Sequence, residues 1–133
     1  MTDDILWSLD DVPADAMAEW CAALNDDNAI HLDRAAAEAN GFGPRRVNPG
    51  PANLAYLLNA LMAAGRGNEI VEIEARFLGN VLEGDRVLVA GTPATPGMED
   101  TRLTLARVTG PGAEDIEPVL QARIGFNGRR PEE

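Results

Sequence analysis

Residues 51–65 read PANLAYLLNALMAAG. Pro51 fits the first turn of a helix, where its missing N–H costs nothing. Leu54, Tyr56, Leu57, Leu58, Leu61 and Met62 then cover more than one stripe of that helix. Apart from Asn53 and Asn59 it is apolar nearly all round, so it is expected in the interior, packed on several sides.

What surrounds it follows from the flanking patterns. After GRGN (65–68), residues 69–81, EIVEIEARFLGNV, alternate Ile70, Val71, Ile73, Ala75 and Phe77 against Glu69, Glu72, Glu74 and Arg76, close to period two. Three more strands are predicted: VLEGDRVLVAGTPA (81–94), reached through a Gly84-Asp85 turn, TRLTLARVTG (101–110) and EPVLQARIGFNG (117–128). Upstream, Ile5 to Leu9 predicts a short strand. Pro13 then suits the first position of a helix, with Asp15 placed for its dipole and Met17, Trp20, Cys21 and Leu24 at helical spacing. HLDRAAAEAN (31–40) is Ala-rich and predicts a helix that stops at NGFG, and PRRVNPGP (44–51), with three prolines, predicts a shaped loop. TPATPGMED (92–100), the PGAEDIEP loop and the tail NGRRPEE (127–133) are expected to be loose.

One buried helix followed by four strands, with a further strand at the start, implies an α+β fold: an antiparallel sheet wrapped around a central helix. Exposed sheet edges invite pairing between two copies, so a homodimer is expected. The chain has 133 residues, 45% of them hydrophobic, which suits a single domain over 1–133 with one core.

Charge and composition narrow the function. There are 22 acidic residues against 11 basic ones, a net charge of −11, which disfavours nucleic acid and anionic membrane surfaces as partners. All 11 basic residues are arginines, so lysine Schiff-base chemistry and a P-loop lysine are excluded. Cys21 is the single cysteine; it excludes an internal disulfide and a multi-thiolate zinc site, and fits a reducing cytoplasm. The start, MTDDILWSLDD, lacks the basic region and long apolar run of a signal peptide, and charged or amide residues interrupt every apolar stretch well short of 18 residues, so a soluble cytoplasmic chain is expected.

The lone histidine lies in LNDDNAIHLD (24–33), between Ile30 and Leu32 and five residues after Asp26. An imidazole and a carboxylate held in an apolar frame suggest a paired acid and base. Taken alone, the same residues also suit a helix-end cap and a satisfied half-buried histidine. As a metal loop the stretch fails: calcium would want Asp or Asn at 30 and Gly at 31, and zinc would want more imidazole or thiolate than this chain holds.

Asp26-x-Asn28-Ala29-Ile30-His31 resembles the D-x-N-P-hydrophobic-H signature of the MaoC-like, or R-specific enoyl-CoA hydratase, family, which has the hot-dog fold. VNPGPANLAYLLNAL stands where that family has its A-H-G-M approach to the central helix, and RFLGNVLEGDRVLV resembles its R-F-x-x-P-V-x-x-G-D strand pair. Three motifs in order cover nearly the whole chain. Four positions differ: Asn25 replaces the usual Gly before the Asp, Ala29 the Pro after the Asn, Pro49 the His before the helix glycine, and Asn80 the strand proline. Asn tolerates a left-handed backbone better than most residues, so the turn before Asp26 is expected to survive.

The resemblance implies a hydro-lyase that adds water to a 2-enoyl thioester or removes it from a 3-hydroxyacyl thioester, with CoA or an acyl carrier protein as the thiol, in fatty-acid or polyketide metabolism and without metal or separate cofactor. It assigns Asp26 and His31 as the acid/base pair and Gly50 as the backbone oxyanion donor at the N-terminus of the buried helix. On the substrate side, Asn53 is expected to steady the thioester or the water and Asn28 to fix the turn through backbone hydrogen bonds. The local basic pairs, Arg45 with Arg46 beside the active loop and Arg129 with Arg130 in the tail, suit either the phosphates of CoA or phosphopantetheine or a solubilising surface role. Two alternatives stand beside it: a hot-dog thioesterase attacking the carbonyl, and a non-catalytic module that binds acyl thioesters or serves in assembly.

Overall fold

The computed structural model describes residues 5–67, 70–92 and 100–126. In chain order these form β1 (Ile5–Leu9), α1 (Asp15–Leu24), a 3-10 turn (Ala29–His31), α2 (Arg34–Ala39), α3 (Gly50–Ala63), β2 (Ile70–Phe77), β3 (Val87–Thr92), β4 (Asp100–Val108) and β5 (Ile116–Phe126). The strands make one sheet in the order β1-β3-β4-β5-β2, antiparallel at every junction.

The predicted central helix is α3. Its residues Tyr56, Leu57, Ala60 and Leu61 pack with Ile5, Val87, Val89, Leu103, Leu105, Leu120 and Ile124 in the core. Leu57 and Leu61 are fully buried, and each contributes about 1.5–3 kcal/mol by leaving water. Tyr56 also stacks on Trp7 of β1, with ring centroids 5.7 Å apart. Asn53, an interruption of the apolar pattern, is buried with its neighbours, whereas Met62 on the opposite side is exposed.

Three predicted boundaries shift, each for a local reason. Helix α1 starts at Asp15 with Ala14 as its cap, leaving Pro13 ahead of the first turn. Val12 is bound to the later turn on both sides, donating to Asp85 O at 2.9 Å and accepting from Gly84 N–H at 2.9 Å, so the helix begins only after that anchor. The helix expected from His31 splits: His31 closes the 3-10 turn, and Asp33, extended at φ −138°, caps α2 by accepting from Ala35 N–H at 3.1 Å. The loop 44–51 is irregular as expected, except that Val47 forms an isolated antiparallel bridge with Leu82.

Strand β2 has the predicted alternation but little of the expected burial. Ile73, Ala75 and Phe77 lie opposite the buried Ile124, Ala122 and Leu120 of β5, so they share the core face. Helix α3 packs chiefly on β1, β3 and β4, and β2 meets it near its N-terminus, where the Phe77 ring lies against Gly50. Val71, Ile73 and Phe77 are consequently exposed. The segment 93–99 and the tail 127–133, with Arg129 and Arg130, fall outside the described residues.

Candidate active site

The site starts at the C-terminus of α1. Asn25 takes a left-handed conformation, φ 55° and ψ 43°, and donates its N–H to Ala22 O at 3.3 Å. It is the one non-glycine residue with positive φ among those described, so the amide residue supplies the turn geometry that a glycine would supply more freely. Asp26 N–H then bonds Cys21 O at 2.9 Å. Two side-chain caps follow in sequence: Asp26 Oδ1 accepts from Asn28 N–H at 3.0 Å, and Asn28 Oδ1 accepts from Ile30 N–H at 3.2 Å. With Oδ1 held in the turn, Asp26 Oδ2 faces His31 Nε2 at 3.5 Å.

His31 is buried, 8% exposed. Its Nδ1 lies 2.8 Å from Val47 O. A carbonyl oxygen only accepts, so Nδ1 carries the hydrogen, and in the neutral ring Nε2 presents a lone pair toward Asp26. Two acceptors 3.5 Å apart cannot satisfy each other. A water or an alcohol that donates one hydrogen can serve either, and a water with two hydrogens serves both. The Asp26 side chain is about one-third exposed (34%), which opens the pair to solvent from its side, and it lines a surface depression of about 330 Å³ with Ala18, Cys21, Ala22, Asn25, Asp27 and Leu32.

Val47 joins this turn to the start of α3. Its N–H bonds Ile30 O at 2.9 Å while its C=O receives the His31 ring. Gly50 follows three residues later, within about 10 Å of chain. In the first turn of α3, Ala52 and Asn53 both donate to Pro49 O, at 3.0 and 3.3 Å, and Pro51 has no N–H. Among the described residues, Gly50 N–H is therefore the first-turn amide that finds no acceptor within the chain. A Cβ at residue 50 would stand 3.3 Å from Cε1 of the Phe77 ring, so the aromatic edge of β2 closes over this end of the helix.

Asn53 does not face solvent. Its Oδ1 accepts from Asn48 Nδ2 at 2.8 Å, and Asn48 Nδ2 also approaches Tyr56 Oη at 3.4 Å. This buried amide pair ties the loop carrying Gly50 to the helix it opens. Asn48 was not legible as a site residue, because a loop asparagine carries no periodic signal.

Arg45 and Arg46 are engaged within the chain. Arg45 Nη1 donates to Asp85 Oδ1 at 2.9 Å and to Glu83 O at 3.3 Å, and Arg46 Nη2 lies 3.3 Å from Glu83 Oε2. Glu83 also takes a two-point bond from Arg34, 2.8 Å at each oxygen, and the Arg46 N–H at 2.8 Å. The Arg34 bonds, with those of Arg46, hold the Glu83 carboxyl down at about 2 despite its burial. Asp85 is gripped in the same way by Arg107, at 2.8 and 3.3 Å. In sequence, Glu83 carries one signal, its place beside the Gly84-Asp85 turn, where Gly84 has φ 81°.

Cys21 is buried behind Asp26, and burial first, then the Asp26 charge, push its thiol pKa up. A raised pKa disfavours the nucleophilic thiolate. Among the described residues no group of three His, Cys, Asp or Glu side chains is arranged to hold a metal ion. No helix among them is long and apolar enough to cross a membrane.

The architecture is that of the hot-dog fold, a five-stranded antiparallel sheet packed against one central helix. Solved structures share it along almost the whole chain. R-hydratase PhaJ1 from Pseudomonas aeruginosa, unliganded, aligns with a TM-score of 0.68 at 20% identity, over 95% of this chain and 81% of that one. The (R)-hydratase from A. caviae involved in PHA biosynthesis aligns at 0.66 and 24% identity, over 94% and 95%. The HadBC (3R-hydroxyacyl-ACP dehydratase) complex from Mycobacterium tuberculosis aligns at 0.59 and 20% identity, over 93% and 96%. No protein-family model and no curated protein sequence matches the chain. The likeness is one of fold.

Proposed function

We propose that this chain is a MaoC-like hydro-lyase, which reversibly hydrates a 2-enoyl thioester to the 3-hydroxyacyl thioester. The observation that carries the reading is the Asp26–His31 pair: a carboxylate oxygen and an imidazole nitrogen 3.5 Å apart, with the second ring nitrogen fixed on a backbone carbonyl. That arrangement takes one hydroxyl between two proton acceptors, which is what addition of water to an activated double bond requires. The hydratases and the dehydratase that share the fold lend it support.

In the hydration direction, the water oxygen bonds to the β-carbon as its proton passes to the pair. The electrons of the double bond move into an enolate whose oxygen accepts from Gly50 N–H, aided by the positive end of α3. The α-carbon then takes a proton from the pair, and the thioester is restored. Dehydration runs the same steps backward. No redox cofactor enters, because no electrons are gained or lost overall. Whether CoA or a carrier protein presents the acyl group, the reacting centre is the same.

The active form in this proposal is a homodimer joined through β2. Its apolar face, with Ile73 and Phe77, is exposed on the single chain, and unpaired edges of this kind are usually covered.

The test is direct: crotonyl-CoA and longer 2-enoyl-CoAs, with the matching carrier-protein thioesters, are followed by loss of enoyl absorbance. Hydration supports the proposal. Release of free thiol without hydration at every chain length overturns it in favour of thioester hydrolysis, and neither signal overturns it in favour of a binding role.

A further inference from the structure

The His31 hydrogen bond, with the Val47 N–H to Ile30 O bond beside it, joins two segments far apart in the chain. One is the 3-10 turn that carries the ring; the other is the loop that carries Val47. Behind both lies a single carboxylate. Glu83, 7% exposed, binds Arg34, three residues after His31, through both oxygens at 2.8 Å. The same carboxylate accepts the backbone N–H of Arg46, the residue before Val47, at 2.8 Å, and contacts its guanidinium at 3.3 and 3.4 Å. Glu83 N–H in turn donates to Arg46 O at 2.9 Å. Both ends of the His31–Val47 bond are thus referred to one side chain on the approach to β3.

We propose that Glu83 is a positioning residue: by clamping Arg34 and Arg46 it holds the His31 Nδ1–H on Val47 O, and so keeps Nε2 as the bare nitrogen facing Asp26. The consequence rests on the proposed acid/base role of that pair, because a ring free to exchange tautomers would offer Asp26 an N–H for part of the time. A direct N–H to carboxylate bond would then displace the hydroxyl that has to sit between them.

The chain has one histidine, so its ring is a single pair of nitrogen signals in long-range proton–nitrogen NMR of the untagged, nitrogen-15-labelled protein. The wild type is expected to show Nδ1–H alone at a pH where the ring is neutral. Glu83→Gln is expected to show averaged tautomers and roughly tenfold faster solvent exchange of the ring N–H. Arg34→Ala, a change at an exposed guanidinium that removes one arm of the clamp, is expected to do the same to a smaller degree, and it carries the test should Glu83→Gln fail to fold. Unchanged tautomer and exchange in a folded Glu83→Gln overturn the proposal, as does an unchanged Arg34→Ala where Glu83→Gln does not fold. Because this readout needs no substrate, a wild type with one fixed tautomer but no hydratase activity overturns the reading of the reaction alone.

Discussion

Asp26 Oδ2 stands 3.5 Å from His31 Nε2, with each group's other polar atom already committed, Oδ1 to Asn28 N–H and Nδ1 to Val47 O. The free atoms therefore face each other, and one hydroxyl placed beside them can reach both. Removing either leaves only half of a proton relay, and general acid–base groups contribute roughly 10²–10⁴-fold to rate. Asp26→Asn and His31→Ala are each expected to lower hydration by at least about 10²-fold. Enoyl absorbance measures the loss, and circular dichroism establishes that the fold is kept. Near-normal turnover in either folded variant would remove the pair from the reaction.

The oxyanion assignment is tested at Gly50. A methyl group there stands 3.3 Å from the Phe77 ring and beside the Gly50 amide, which has no acceptor among the described residues. Gly50→Ala is expected to lower kcat/KM by about 10²-fold, through displacement of the thioester carbonyl by the new Cβ. Adding Phe77→Leu relieves the contact with the ring but not the one with substrate. The double variant should therefore regain stability without regaining rate; joint recovery of both would mean that Gly50 matters only for packing.

Asn25 sets the turn that leads into Asp26. At φ 55° a β-branched residue is strained by about 1–2 kcal/mol relative to glycine. Asn25→Gly is expected to match or slightly exceed the wild type in urea stability and to keep full activity. Asn25→Val is expected to lose about 1–2 kcal/mol and, with the turn disturbed, activity as well. Equal stability of the two variants would show that the backbone there is free to relax.

Much of this architecture was legible from pattern. The all-round apolar stretch of α3 and the period-two runs named the central helix and every strand, because burial imposes those periods on the sequence. The apolar frame around His31 suggested a pairing with Asp26, but only the motif favoured it over a helix-end cap, since spacing alone cannot say that the chain reverses at Asn25. What stayed hidden was what depends on contacts distant in sequence. Glu83 meets Arg34 and Arg46 across 49 and 37 residues, and Asn48 acts through a loop with no period at all. The arginines offered for phosphate binding have their guanidiniums on Glu83 and Asp85 for the same reason: pairing partners cannot be counted from one strand of text. The missing burial of β2 is a different case, because the pattern marks an apolar face and is silent about which molecule covers it.

That face yields the next prediction. In solution the chain is expected to sediment at twice its 14.2 kDa mass. Ile73→Lys, which puts a charge on the core face of β2, and Val71→Lys, at the bulge beside it, are expected to shift the population toward monomer. Analytical ultracentrifugation over a concentration series reads the change. A wild type that stays monomeric at the highest concentrations, or variants that dimerise as well as it does, would place the interface elsewhere.

Acid should expose the Glu83 clamp thermodynamically. The carboxyl pKa is held at about 2 in the folded chain against an ordinary 4.5, first by the Arg34 hydrogen bonds. A depressed pKa means that the folded state prefers the ionised group, so its stabilising contribution is complete above pH 4.5 and disappears as pH falls toward 2. At neutral pH the contribution is about 1–3 kcal/mol, allowing for the solvent around Arg34. Glu83→Gln removes the titration, so the free-energy gap between wild type and variant should be constant from pH 7 to about 5 and narrow steadily below 4.5. Urea unfolding at a series of pH values measures it. A gap that stays constant down to pH 2.5 would show that the amide loses only geometry, and that the charge on Glu83 does not bind Arg34 in the way its two short bonds indicate.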